Sequence, residues 1–331
     1  MSFSRLIKVI CLILVIALAG CITKPTNEKL SGEKLTVGLQ STPSSALVII
    51  ASDNGYFEEE DLDVELVEFT AGKFALQAFL ADKIDFAVVG DVPVVLANMN
   101  GNKFSVLSQT VSSTSENRVV VLKDGSLPDP EPAGYFLSKK RKLATSIGGT
   151  PEFYTYNFLK YYNISPNSVE IIAQKPEDMP VTLTTGAVDG ISIFEPYPSI
   201  SEDMLPNKTL TFTIPASVYS PLYVLVARDE WVNANPDKAT AFMRALIKAQ
   251  RFIENEPATA QEIVAKRTKF SVQQIKSIWS HYKIAATITP ELMQYWDAEA
   301  EWAIQTNKSQ SQKPDFSKIL RKEFLDKARA G

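Results

Sequence analysis

The stretches KIDFAVVGDVP (residues 83–93) and AVDGISIFEPY (residues 187–197) decide how this chain folds. Each runs a small or polar lead, an aspartate, a short apolar segment, and then a carboxylate with proline close behind. Aligned, Asp85 falls on Asp189 and Asp91 falls on Glu195. An unbroken apolar run of this length is a strand covered on both faces, as in a parallel sheet flanked by helices. An acid or a proline directly after it suits the first turn of a helix. Two copies therefore predict two similar α/β units. The end of each strand should meet the other across a cleft, with Asp91 and Glu195 looking into it.

Working outward, strands and helices alternate from residue 34. LTVGLQ (35–40) reads as a strand, followed by a helix capped by Ser41 or Thr42 and ending near Gly55. LDVELVEF reads as a strand, and FALQAFLADK as a helix with Phe74, Ala75, Ala78 and Phe79 on one face. FSVLSQTV and NRVVVLKD read as two more strands. DGSLPDPEPAG (124–134), with its three prolines, reads as a crossing between units. KKRK (139–142) reads as a solvated turn. The alternation restarts with KLATSIGG, a helix from Pro151 to Tyr162, the strand VEIIAQ, the short helix DMPVTLTTG and the strand VDGISIF. TLTFTI and SPLYVLVAR follow as strands, with a second crossing near 214–221. The last third reads as helical. Its apolar stripes are Phe242, Leu246, Ala249 and Ile253; Ile275, Ile278, Trp279 and Tyr282; and Met293, Trp296 and Ala300, all core-facing. The expected division is lobe 1 at 35–123 and 217–331, lobe 2 at 124–216, with the C-terminal helices on lobe 1.

The N-terminus reads MSFSRLIKVICLILVIALAGC. Arg5 and Lys8 precede an uncharged run from Val9 to Gly20, shorter than the about 20 residues that span a bilayer. That is the pattern of an export signal, here residues 1–20. Leu18-Ala19-Gly20-Cys21 resembles the lipobox of bacterial lipoproteins. The resemblance implies cleavage before Cys21 and acylation of its thiol. Residues 21–34 then form a polar tether holding an exported body at the membrane surface, outside the cytoplasm.

Composition closes several other routes. With 34 basic and 38 acidic residues the chain is mildly acidic and shows no basic face, so nucleic acid is not an expected partner. His281 is the one histidine, so a Ser-His-Asp triad or a His-rich metal site would have to use it, and no nucleophile-elbow pattern accompanies it. Cys11 and Cys21 are the two cysteines; the first leaves with the signal and the second is blocked by lipid. No phosphate-binding loop occurs, and SIGGT is too slight for a dinucleotide fingerprint. No cofactor and no metal are expected.

What remains is a set of strand-to-helix turns, where open α/β sheets hold their ligands. They are Gln40-Ser41-Thr42, Gly90-Asp91, Gly148-Gly149-Thr150-Pro151 and Phe194-Glu195-Pro196-Tyr197. QSTPSSALVIIASDNGYFEEEDLDVELVEF, then LADKIDFAVVGDVP and later FEPY, resembles substrate-binding proteins of ABC importers, in the branch for nitrate, sulfonates, taurine and thiamine-pyrimidine precursors. The resemblance covers about residues 35–260, and GYFEEEDLDVEL and KIDFAVVGD are its most specific parts. It implies a type II periplasmic-binding fold, a monomer that closes two lobes over one small solute, and permease and ATPase subunits as partners. Carried onto this sequence, it puts Gln40, Ser41, Thr42, Gly90, Asp91, Gly149, Thr150 and Glu195 at the ligand. The insertion DPEPAGYFLSKKRK departs from the family pattern and blurs the start of lobe 2. Two carboxylates in the cleft favour a ligand with a cationic or N–H-bearing end, an amino-sulfonate or aminopyrimidine, over a bare anion. A lipid-anchored sensor and a pyrimidine-precursor synthase-like enzyme are the alternatives on the same fold.

Overall fold

The computed structural model describes residues 34–128 and 130–331. The expected signal, Cys21 and the tether through residue 33 lie outside the described residues. Lys34–Gly331 forms one unit built on two sheets. Lobe 1 contains β1 (Leu35–Gln40), β2 (Val64–Phe69), β3 (Phe86–Gly90) and β4 (Ser105–Ser113). Lobe 2 contains β5 (Asn117–Leu122), β6 (Arg141–Thr145), β7 (Val169–Ala173), β8 (Gly190–Phe194) and β9 (Thr209–Phe212). β10 (Leu222–Ala227) and β11 (Tyr282–Thr287) return to lobe 1. The strand orders are β11-β4-β10-β3-β1-β2 and β7-β6-β8-β5-β9.

The two sheets share one plan. β2-β1-β3 and β7-β6-β8 are parallel, and β10 and β5 then add antiparallel beside β3 and β8. Each antiparallel strand follows directly on a strand of the other lobe, so two chain crossings join the lobes. This is the two-lobed arrangement that the resemblance implies.

The paired aspartates have a structural task. Asp85 Oδ2 accepts hydrogen bonds from the N–H and hydroxyl of Thr36, at 2.8 and 2.7 Å. Asp189 Oδ2 accepts from the N–H of Lys142 at 2.8 Å. Thr36 and Lys142 are each the second residue of their strand. In both lobes the aspartate before the third strand thus ties down the start of the first, setting the register in which the strand ends reach the cleft.

Three expectations need correction. The first crossing is residues 114–116, because β5 pairs with β8 and β9 in the second sheet. The proline-rich 124–134 segment lies within lobe 2 and leads into the helix Pro132–Ser138. KKRK is not simply solvated: Arg141 opens β6, is buried, and donates to Asp124 at 2.8 Å with its guanidinium over the Tyr135 ring. The stripe running to Tyr282 also breaks, since its helix stops at Ile278 and Tyr282 begins an edge strand.

The C-terminal helices pack on lobe 1. Pro236–Asn255 lies against Ala46–Asp53, with Phe242 stacked 4.8 Å from Phe86. Glu291–Gln305 lies against Asp91–Met99 and buries Trp296 completely. No described helix is long and apolar enough to cross a membrane.

Candidate functional site

β1, β3, β6 and β8 all end at the seam between the lobes. A cavity there is lined from lobe 1 by Gln40, Gly72, Lys73, Gly90 and Tyr223, and from lobe 2 by Ser146, Gly149, Thr150 and Phe194. Helices begin at Gly72, Asp91 and Thr150, so the positive ends of three backbone dipoles meet at this seam. Gln40 braces the floor. Its Oε1 accepts from the Gly72 N–H at 3.0 Å and its Nε2 donates to Thr42 Oγ1 at 3.0 Å.

Beside this cavity, two hydrogen bonds cross the seam. Thr150 Oγ1 donates to Asp91 Oδ1 at 3.2 Å, and Lys73 Nζ donates to the Ile147 carbonyl at 2.8 Å. Gly90 permits the first. A Cβ added there would lie 2.4 Å from Thr150 Oγ1. In this closed arrangement the cavity is about 20 Å³, room for about one water. A solute of several heavy atoms needs a wider cavity than this one.

Of the eight sequence candidates, Gln40, Gly90, Gly149 and Thr150 line the cavity, while Ser41, Thr42, Asp91 and Glu195 do not. Both acids are fully buried and engaged. Asp91 accepts from the Val92 and Leu222 N–H groups, each at 3.0 Å, and from the Tyr219 hydroxyl at 2.9 Å, besides Thr150. Burial pushes its carboxyl up, and the Leu222 N–H opposes that shift. Glu299, from the C-terminal helix, pairs with it. Burial and the Asp91 charge raise Glu299 well above the carboxylate range. Glu195 Oε1 lies 2.5 Å from Arg118 Nη2, and its Oε2 accepts from the Ser199 N–H at 3.3 Å. Burial raises Glu195 while Arg118 opposes.

Sequence reasoning passed over Lys73, Ser146, Tyr223 and Glu116. Lys73 is the one charged side chain among the cavity's lining residues. Burial lowers its pKa, against the pull of Glu152 and Glu177. Ser146 Oγ is buried with no hydrogen-bond partner among the described residues. Glu116 sits in the first crossing beside Tyr223 and Tyr282, its pKa pushed up to about 8, chiefly by burial. His281 lies next to that crossing, its carbonyl accepting from the Thr114 N–H, and is not among the residues lining the cavity. Among the described residues no cluster of His, Cys, Asp and Glu could hold a metal ion.

The model of the NMT1-like family matches residues 28–267. The chain belongs to that family. A Bacillus subtilis protein named for binding aliphatic sulfonates is 24% identical to this NMT1-like chain, over 97% of it and 96% of its relative. The fold is that of the alkanesulfonate-binding protein SsuA from Xanthomonas axonopodis pv. citri, solved bound to MOPS. That match has a TM-score of 0.74 at 15% identity, covering 88% of this chain and 99% of SsuA. The nitrate-binding protein NrtA from Synechocystis PCC 6803 superposes with a TM-score of 0.72 at 17% identity, over 90% of this chain and 88% of NrtA. These NMT1-like and structural relatives are named for binding a solute, not for catalysis.

Proposed function

We propose that this chain is the solute-binding component of an ABC importer, anchored through lipid on Cys21. It captures a small organic sulfonate between its lobes and presents the closed form to permease and ATPase subunits. The carrying observation is the lining of the seam: one cation, Lys73, an unpartnered hydroxyl, Ser146, and the start of the Gly149–Thr150 helix turn, with no carboxylate among the lining residues. Such a set suits an anionic head. The identity of the relatives supports the same class.

An aminopyrimidine, or a zwitterion needing a carboxylate for its ammonium group, loses its support. That idea rested on free oxygens at Asp91 and Glu195, and both acids are taken up by Thr150, Tyr219, Leu222 and Arg118. Gln40, Gly90, Gly149 and Thr150 stay in the proposed ligand set. Asp91 acts through Thr150, as the acceptor that holds the lobes together. A ligand drives closure only in so far as it binds the closed form more tightly.

Titration calorimetry tests the reading. Ethanesulfonate should bind more tightly than taurine, and an aminopyrimidine should give no heat. Lys73→Gln should weaken ethanesulfonate about tenfold or more, the scale of a lost charge-assisted bond. Unchanged binding in that variant contradicts the proposed head-group site. For the anchor, Cys21→Ser should move the protein from the membrane fraction to the soluble one.

A further inference from the structure

A second cavity lies on the outer side of the seam, between the lobe 2 helix Thr150–Tyr161 and the C-terminal helix Glu291–Gln305. It measures about 610 Å³, within the range of organic-ligand sites. Tyr156 and Trp302 form one corner, their ring centres 6.4 Å apart at 52°. Leu159, Ile164 and Ile171 make the apolar remainder, and Ile171 is 40% exposed.

The polar groups at this cavity are dominated by cations. Lys160 Nζ lies 5.9 Å from the Tyr156 ring centre and has no carboxylate within salt-bridge distance among the described residues. Lys308 Nζ lies 5.4 Å from the Trp302 ring centre and 2.5 Å from Glu152 Oε1. Glu152 is itself committed, its other oxygen accepting from the Gly148 N–H at 2.8 Å. One negative charge thus faces two positive ones, with a net positive charge beside an aromatic and aliphatic wall.

We propose that this cavity is a second binding site, separate from the seam, for an amphipathic organic anion with a flat ring body and a single carboxylate or sulfonate. The ring lies against Tyr156, Trp302 and the Ile164–Ile171 wall, where area burial drives binding. The anionic group meets Lys160. Ring and charge are both required, because an isolated surface lysine contributes little by itself.

The test uses 2-naphthoate and titration calorimetry on the whole protein. The probe should bind at one site, and saturating ethanesulfonate should not displace it. Lys160→Glu and Ile171→Asp change exposed side chains and leave the fold intact. Each should weaken 2-naphthoate at least tenfold while ethanesulfonate binding stays as in the parent. No binding at millimolar probe, equal affinity in both variants, or displacement by ethanesulfonate would each overturn the assignment.

Discussion

Replacing Gly90 with alanine probes how the lobes close. Gly90 has φ −63° and ψ 157°, which alanine adopts without strain, so the backbone is indifferent. The new Cβ, however, would stand 2.4 Å from Thr150 Oγ1. Ordinary contact requires about 1 Å more. Either the lobes stay apart by that amount or the Thr150 hydroxyl rotates away, and both outcomes sever its bond to the Asp91 carboxylate. A hydrogen bond to a charged group contributes about 1.5–3 kcal/mol, so affinity for ethanesulfonate should fall about 10- to 100-fold. A double-mutant cycle separates this cause from any other. In a Thr150→Ala background the obstructing oxygen is gone and the nearest remaining contact is the Thr150 Cβ at 3.6 Å. Gly90→Ala should then cost almost nothing. Calorimetric titration of the four proteins reads the coupling. Equal costs of Gly90→Ala with and without the Thr150 hydroxyl would refute the reasoning.

Two further outcomes follow from acids away from the cavity. The Glu116 carboxyl is raised from 4.5 to about 8, so the folded protein keeps a proton that the unfolded chain releases near 4.5. Stability from this group is complete below pH about 4.5 and is lost as pH climbs toward 8, at about 1.4 kcal/mol per pH unit. Denaturant titrations of Glu116→Gln should lack that slope, and parallel pH curves for variant and parent would count against it. Asp85→Ala should lower unfolding free energy by about 1–3 kcal/mol, since Thr36 loses the acceptor for both its N–H and its hydroxyl; an unchanged midpoint in urea would show that the aspartate does not set register.

Much of this architecture is legible in two short stretches. KIDFAVVGD and VDGISIFE carry the same sequence of register aspartate, buried strand and cleft turn, and β3 and β8 occupy matching places in their sheets. Other features escape for physical reasons. β4 and β5 are separated only by Thr114-Ser115-Glu116, and local pattern does not say to which sheet a strand belongs. The prolines of 124–134 announce a turn but not its location relative to the lobes. Lys73, in the first turn of a helix, has the pattern of a solvated side chain; only the approach of Ile147 and Gly149 from the other lobe encloses it. Asp91 and Glu195 were legible as cleft-edge acids. Their partners, Tyr219, Leu222 and Arg118, come from distant segments and turn both carboxylates away from the role their position suggests.

The most direct test of the account is a crystal structure of the protein grown with ethanesulfonate. The account predicts the sulfonate enclosed between the lobes, its oxygens within hydrogen-bond distance of Lys73 Nζ, Ser146 Oγ and the backbone N–H groups at Gly149 and Thr150, with Thr150 still bonded to Asp91. A sulfonate held elsewhere, or a ligand whose contacts are to Asp91 and Glu195, would contradict it.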